Sequence, residues 1–187
     1  MSSILDRFHI VRPLAQGGMG EVFLADDEVT GERAVLKVLR TDVDVGTLGP
    51  SARFEHEIEV VRAVSHPLIP RWLADGDWQG RRVLALRHVD GMCLADLMND
   101  AMSATTAVLL IVDVLQALQR VHTLCADDGA PLHLVHRDIS PHNLLCDDHG
   151  RAHVIDFGRI GRTEPLFKRR PRSIPCETAL LLRLTVR

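Results

Sequence analysis

The stretch from Ser103 to Cys125 places the strongest demand on any fold this chain can adopt. Ala107, Leu110, Ile111, Val114, Leu115, Leu118 and Val121 recur at the three- and four-residue spacing of an α-helix. They make an apolar face so broad that other elements must cover most of it. The first ninety residues carry a different period. Phe8 to Leu14, Glu21 to Ala25 and Glu32 to Leu39 read as three short strands separated by Gly-rich and Asp-rich turns. The second turn, Asp26-Asp27-Glu28-Val29-Thr30-Gly31, suits a hairpin. A helix is predicted over Ser51 to Val64, with Phe54, Ile58, Val61 and Val64 on one face and Ser51 as its cap. Ile69 to Leu73 and Arg82 to Val89 bracket an Asp75-Gly76-Asp77 turn and complete a five-stranded antiparallel sheet with one helix. After the long helix, Leu132 to His136, Leu144 to Cys146 and His153 to Ile155 read as short strands. The expected class is α+β, an antiparallel sheet followed by a mainly helical part.

Bulk chemistry narrows the setting. The 187 residues, 46% hydrophobic and 25% charged, suit one globular domain and are too few for two comfortable ones. The net charge of -3 is unevenly spread, with 14 basic and 23 acidic residues before Arg159 and 8 against 2 from there on. Residues 163–187 therefore read as a separate basic tail. Cys93, Cys125, Cys146 and Cys176 include no CxxC pair, so no zinc knuckle is indicated. His133, His136, His142, His149 and His153 crowd into twenty-one residues without the paired spacing of a closed metal site. The N-terminus lacks the apolar core of a signal peptide, and Asp113 breaks the longest apolar run, Ala107 to Leu115. A cytoplasmic chain, with no membrane and no specific nucleic-acid partner, is the expectation.

Chemistry enters with Leu14-Ala15-Gln16-Gly17-Gly18-Met19-Gly20-Glu21-Val22, where glycines let a backbone approach a polyphosphate and aim N–H groups at its oxygens. Taken alone, a hairpin that merely needs glycine explains this turn better. The chain has no Gly-Lys pair, which excludes a Walker A loop. Fifteen residues past Val22 stands Lys37, in Ala34-Val35-Leu36-Lys37, with Val35 and Lys37 on one face of a strand. An ammonium there can reach phosphate oxygens, although a solvated edge lysine fits the pattern equally well. Glu57 on the next helix is placed to pair with Lys37, with Glu55 and Glu59 as rival surface acids.

The decisive run is Val135-His136-Arg137-Asp138-Ile139-Ser140-Pro141-His142-Asn143, followed by Ile155-Asp156-Phe157-Gly158. It resembles the catalytic loop and metal-binding motif of eukaryotic-type protein kinases, in particular bacterial Ser/Thr kinases. The resemblance covers about Phe8 to Gly161 and includes Phe54, Glu57 and His66-Pro67. It implies a kinase N-terminal lobe over 8–90 and a partial C-terminal lobe over 91–162. The implied cofactors are ATP and Mg²⁺. The implied roles are a base at Asp138, metal ligands at Asn143 and Asp156, a phosphate-positioning Lys37 and its holder Glu57. Gly17, Gly18 and Gly20 would cover the phosphates, and Leu14, Val22, Val35 and Leu145 would sandwich adenine. Leu86 would be the gatekeeper, with Arg87-His88-Val89 as the hinge. His136 would pack in the core.

Three departures accompany the resemblance. Ala15 replaces the first glycine of the loop, and Ser140 stands where such kinases usually place a lysine. Only 29 residues follow Gly158, and they match neither an activation segment nor the large-lobe helices. The tail reads either as a basic interaction arm or as an off-frame product of a longer gene. The expected function is ATP-dependent phosphorylation of a protein hydroxyl by a truncated Ser/Thr kinase, its protein substrate unknown. The alternative is a non-catalytic nucleotide-binding or regulatory fragment whose exposed C-terminal-lobe helices are covered by a partner. A small-molecule phosphotransferase would usually carry His-Gly-Asp in place of His136-Arg137-Asp138.

Overall fold

The computed structural model describes residues 3–17, 20–40, 49–98 and 102–162. The tail 163–187 and Gly18 lie outside them. Strands β1 (Phe8–Gln16), β2 (Gly20–Asp27), β3 (Arg33–Leu39), β4 (Trp72–Trp78) and β5 (Arg81–Arg87) form an antiparallel sheet in the order β1-β2-β3-β5-β4. Alternation divides its side chains between two faces. Ala34, Leu36, Val38, Val83 and Ala85 point to one side, where Ile4, Phe8 and Leu73 cover them. Val22, Lys37 and Leu84 lie in one row across the other side, and Leu24, Val35 and Leu86 in the next. There Leu84 and Leu86 join Phe54, Ile58 and Val61 of helix α1 (Pro50–Ala63) in a second core. That core continues without a break into Leu110, Val114, Val121, Leu134, Val154 and Phe157.

Two local expectations change. Helix α1 is capped not by Ser51 but by the extended residue Gly49, with Pro50 in the first turn. Proline fits there because it has no N–H to leave unpaired. Asp75-Gly76-Asp77 lies inside β4 instead of forming a turn, and the chain reverses at Gln79 and Gly80, with φ of 51° and 74°. Two positive φ values give the twist that a two-residue hairpin requires. Asp75 tolerates its strand position because Trp72 Nε1 donates to it at 2.9 Å and Arg62 and Arg82 flank it.

Beyond the sheet come β6 (Gly91–Cys93), the one-turn helix α2 (Leu94–Leu97), α3 (Ala104–His122), β7 (Leu134–Val135), β8 (Leu144–Asp147), β9 (Ala152–Val154) and β10 (Gly161–Arg162). Strands β6, β8 and β9 form one small sheet, and β7 pairs with β10. The Ser103 hydroxyl caps α3 by accepting from the Thr106 N–H at 3.0 Å. The buried face of α3 is Leu110, Asp113, Val114, Ala117 and Val121. Ile111 and Leu115, expected inside, face out beside Val108, Leu109 and Val112. The displaced member is Asp113, which takes an inward position by accepting three hydrogen bonds from Arg151 and one from the Ala152 N–H. Burial pushes its carboxyl up, but these donors more than offset that and hold it below the usual range. By length and composition α3 is apolar enough to cross a membrane. Here one side of it packs on β7 and β9.

The hairpin between β2 and β3 forms where expected, and one buried carboxylate organises it. Asp27 accepts from Arg7 Nε and Nη2 at 2.7 Å each, from Thr30 Oγ1 at 2.7 Å and from the Val29 N–H at 3.1 Å. The Arg7 guanidinium holds this carboxyl well below the usual range against the opposing effect of burial. Asp27→Ala leaves Arg7 and the turn without their acceptor, and we expect it to lower the unfolding free energy by about 3 kcal/mol. Urea denaturation measures this; a loss below about 0.5 kcal/mol would show that the turn forms without Asp27.

Candidate active site

Lys37 occupies the cleft-facing row of β3, opposite Val22 on β2 and Leu84 on β5. Its Nζ donates to Glu57 Oε1 at 2.5 Å and to Asp156 Oδ1 at 3.1 Å. Glu57 is inward on α1 and only 3% exposed, while Glu55 is instead bound by Arg82 at the surface. Glu57 Oε1 also accepts from the Phe157 N–H at 3.3 Å. Burial pulls the Lys37 ammonium down in pKa, but the two carboxylates more than restore it, leaving it above its ordinary value. Burial likewise pushes the Asp156 carboxyl up. Lys37 and the Gly158 N–H, which donates at 3.1 Å, outweigh that and hold it below the usual range.

Asp138 and Asn143 lie on the segment that follows β7. Asn143 Nδ2 donates to both the backbone oxygen of Asp138, at 2.9 Å, and its Oδ2, at 3.0 Å, which fixes the carboxylate across the turn Pro141–Asn143. The Ile155 N–H donates to the Asn143 carbonyl at 3.0 Å, so Asn143 and Asp156 stand on adjoining segments. His136 and Phe157 are both buried, with ring centroids 4.8 Å apart. Burial pushes the His136 imidazole down, favouring its neutral form. Arg137 and Asp156 both have left-handed backbone, with φ of 65° and 62°. That conformation costs roughly 1–2 kcal/mol at a non-glycine residue and persists only where the surroundings enforce it.

One such restraint escaped the sequence. Arg137 Nη2 donates to the Arg162 carbonyl at 2.6 Å, and a Cβ on Gly161 would run into the Arg137 guanidinium. A side chain at position 161 would therefore displace that guanidinium from the Arg162 carbonyl. The sequence shows only a glycine in a polar run there, without its neighbour.

A cavity of about 260 Å³ gathers Ala15, Gly17, Gly20, Val22, Lys37, Glu57, Asp156 and Gly158. These are phosphate-facing residues of the expected site; Asp138 and Asn143 do not line the cavity, and Gly18 lies outside the described residues. The adenine-end residues Leu14, Val35, Leu86, Arg87, Val89 and Leu145 do not line it. Val35 and Leu86 are paired neighbours on the cleft face, and Leu145 on β8 alternates with the buried Leu144. Along the hinge, the Arg87 N–H donates to Arg71 and the His88 N–H to Arg33. Arg87 and Val89 also line a separate, larger cavity with His66, His88, His149 and His153. Among the described residues no group of three or more His, Cys, Asp or Glu side chains could enclose a metal. An Asp and an Asn on adjoining segments instead fit an oxygen-seeking Mg²⁺ that takes its remaining ligands from phosphate and water. The depressed pKa keeps the Asp156 carboxylate ionised.

A protein kinase domain model matches residues 8–168. The chain belongs to the protein kinase domain family. This kinase chain is 32% identical over 169 residues to the serine/threonine-protein kinase pkn2 of Myxococcus xanthus, covering 88% of the chain and 19% of that protein. It is 30% identical over 156 residues to the probable serine/threonine-protein kinase PknB of Lactococcus lactis, covering 82% and 23%. It is 29% identical over 157 residues to the serine/threonine-protein kinase PrkC of Bacillus subtilis, covering 83% and 23%. The kinase chain thus spans about a fifth of the length of the curated relatives it matches.

The Lys37 cluster sets two expectations. Glu57→Ala leaves a buried ammonium with one carboxylate and should lower stability by about 3 kcal/mol, whereas the apolar double replacement Lys37→Met/Glu57→Leu should lose less. Equal losses in the two would show that the unpaired charge is not what destabilises. In pH, Lys37 has a raised folded pKa, so its contribution is present below its unfolded value of ~10.4 and is lost as pH rises through the folded value. Asp156 has a depressed one, so its contribution is present above ~3.9 and is lost as pH falls through the folded value. Urea midpoints across pH should therefore decline at both extremes in the native chain, and the alkaline decline should shrink in Lys37→Met.

Proposed function

We propose that this chain forms the nucleotide site and catalytic loop of a Ser/Thr protein kinase, passing the γ-phosphoryl group of Mg-ATP to a protein hydroxyl. The observation that carries this reading is the convergence of Lys37, Glu57 and Asp156, with Asn143, which fixes the Asp138 carboxylate, on the segment adjoining Asp156. Mg-ATP, when bound, supplies the phosphoryl group and leaves as ADP. Lys37 offers its ammonium to phosphate oxygens while Glu57 holds it in the cleft. Asn143 and Asp156 would hold Mg²⁺ through their side-chain oxygens. Asp138 orients the attacking hydroxyl and accepts its proton as the new P–O bond forms. Gly17 and Gly20 let the β1–β2 turn close on the phosphates, with Gly18 assigned the same task. Val22, Val35, Leu14 and Leu145 would bracket the base below the Leu86 gatekeeper. On this reading the chain would work in the cytoplasm, where ATP is supplied.

A second reading draws on the outward face of α3, where Val108, Leu109, Ile111, Val112 and Leu115 are 42–60% exposed. A chain that binds nucleotide without turnover would act by docking on a partner through such a surface. Phosphate incorporation into a protein substrate, with calorimetric binding of Mg-ATP measured in parallel, separates the two. Transfer that drops at least 10²-fold in Asp138→Asn, with Mg-ATP still bound, is expected for the enzyme. Asp156→Ala should lose transfer and weaken Mg-ATP binding together. Nucleotide binding with no transfer in the unaltered chain would favour the docking fragment.

A further inference from the structure

We propose that Arg159 supplies the cation that faces the transferring phosphoryl group, a role that rests on the kinase reading above. Phosphoryl transfer spreads negative charge over three oxygens, and its catalysis is mainly positioning and electrostatic stabilisation. Between Asp138 and Asn143 the loop provides no permanent cation, since only Ile139, Ser140, Pro141 and His142 intervene. Two nearby cations are already engaged, Lys37 between Glu57 and Asp156 and Arg137 on the Arg162 carbonyl. Arg159 is placed differently. Its Nε lies 3.8 Å from Asp138 Oδ2, and its side chain is 65% exposed.

The backbone beneath Arg159 is fixed while its side chain stays exposed. The preceding Gly158 N–H is bound to Asp156, and the Ile160 N–H donates to the Phe157 carbonyl at 3.0 Å, closing a turn with Arg159 inside it. Phe157 and Ile160 are both buried, which anchors that turn on each side. An exposed ion pair at 3.8 Å contributes little to stability. The guanidinium is thus held near Asp138 weakly enough to leave it for a better partner. A phosphoryl group accepts two parallel N–H bonds and carries more charge than one carboxylate. Proton transfer from the substrate hydroxyl neutralises Asp138 as charge builds on the phosphoryl oxygens. Arg159 then loses its attraction to Asp138 at the moment its second partner needs it most.

The test compares the full unaltered chain with Arg159→Ala, Arg159→Lys and Arg159→Ala/Ser140→Lys. It reads the ratio of Mg-ATP to Mg-ADP affinity by calorimetry, and kcat for protein phosphorylation. Mg-ADP affinity and the urea midpoint should be unchanged in Arg159→Ala, because the side chain is exposed. The preference for Mg-ATP should fall by about tenfold, and kcat by on the order of 10²-fold. Arg159→Lys, or a lysine introduced at position 140 on the catalytic loop, should recover a substantial part of both. An Arg159→Ala chain that keeps its Mg-ATP preference within twofold overturns the proposal. So does one with raised turnover, which would make Arg159 a brake on Asp138, or a loss that neither lysine recovers. An unaltered chain that binds neither nucleotide sinks the kinase reading itself and this role with it; unaltered binding with a silent Arg159→Ala sinks only this role.

Discussion

The ammonium of Lys37 lies between two carboxylates drawn from distant parts of the chain, and the cleft is organised around that contact. Glu57 arrives on α1 and Asp156 on the segment after β9, so one cation ties the sheet, the helix and the second lobe together. The same Glu57 oxygen also takes the Phe157 N–H, fixing the backbone next to Asp156. None of these groups is inexpensive to bury alone. Together they leave Lys37 protonated and Asp156 ionised, the charge states that a phosphate and a divalent cation require.

The same device recurs where the fold carries a carboxylate indoors. Asp27 is surrounded by Arg7, Thr30 and a backbone N–H, and Asp113 by Arg151 and the Ala152 N–H. Each spends its acceptor capacity on donors from another element and so joins elements that apolar packing alone would leave free to slide. Asp113 fastens α3 to β9, and β9 leads directly into Ile155 and Asp156. The helix that supports the cleft from below is therefore registered against the segment that carries Asp156 by an ion pair, while much of its outer face remains apolar and open.

The loops that hold Asp138 and Asp156 are kept in unfavourable backbone conformations by contacts on both sides. Arg137 is left-handed, and its guanidinium is spent on the Arg162 carbonyl over Gly161. Asp156 is left-handed, followed by a Gly158 whose N–H returns to it. Such geometry sets Asp156 at the cavity and holds Asp138 through Asn143 on the adjoining segment, at a local cost of a few kcal/mol set against the packing of His136 and Phe157.

Much of this was legible from residue order. Alternation placed Val35 and Lys37 on one face, helical spacing placed α1 and α3, and the His136 to Asn143 and Asp156 to Gly158 runs carried the resemblance to kinases, because short-range periods and motif spacings survive in a linear chain. Whatever depends on a partner far away did not. The sequence names Glu57 as the partner of Lys37, but not the Arg82 that occupies its rival Glu55. Asp113 reads as a break in an apolar helix until Arg151 is beside it. Ile111 and Leu115 read as core until the inward face is seen to rotate around that aspartate. Gly161 and Arg159 gain meaning only from Arg137 and Asp138, more than twenty residues away in sequence. Sequence alone determined the elements and the types of reactive group. Tertiary structure decided which charges meet, because a pairing energy depends on distance in space and not on separation along the chain.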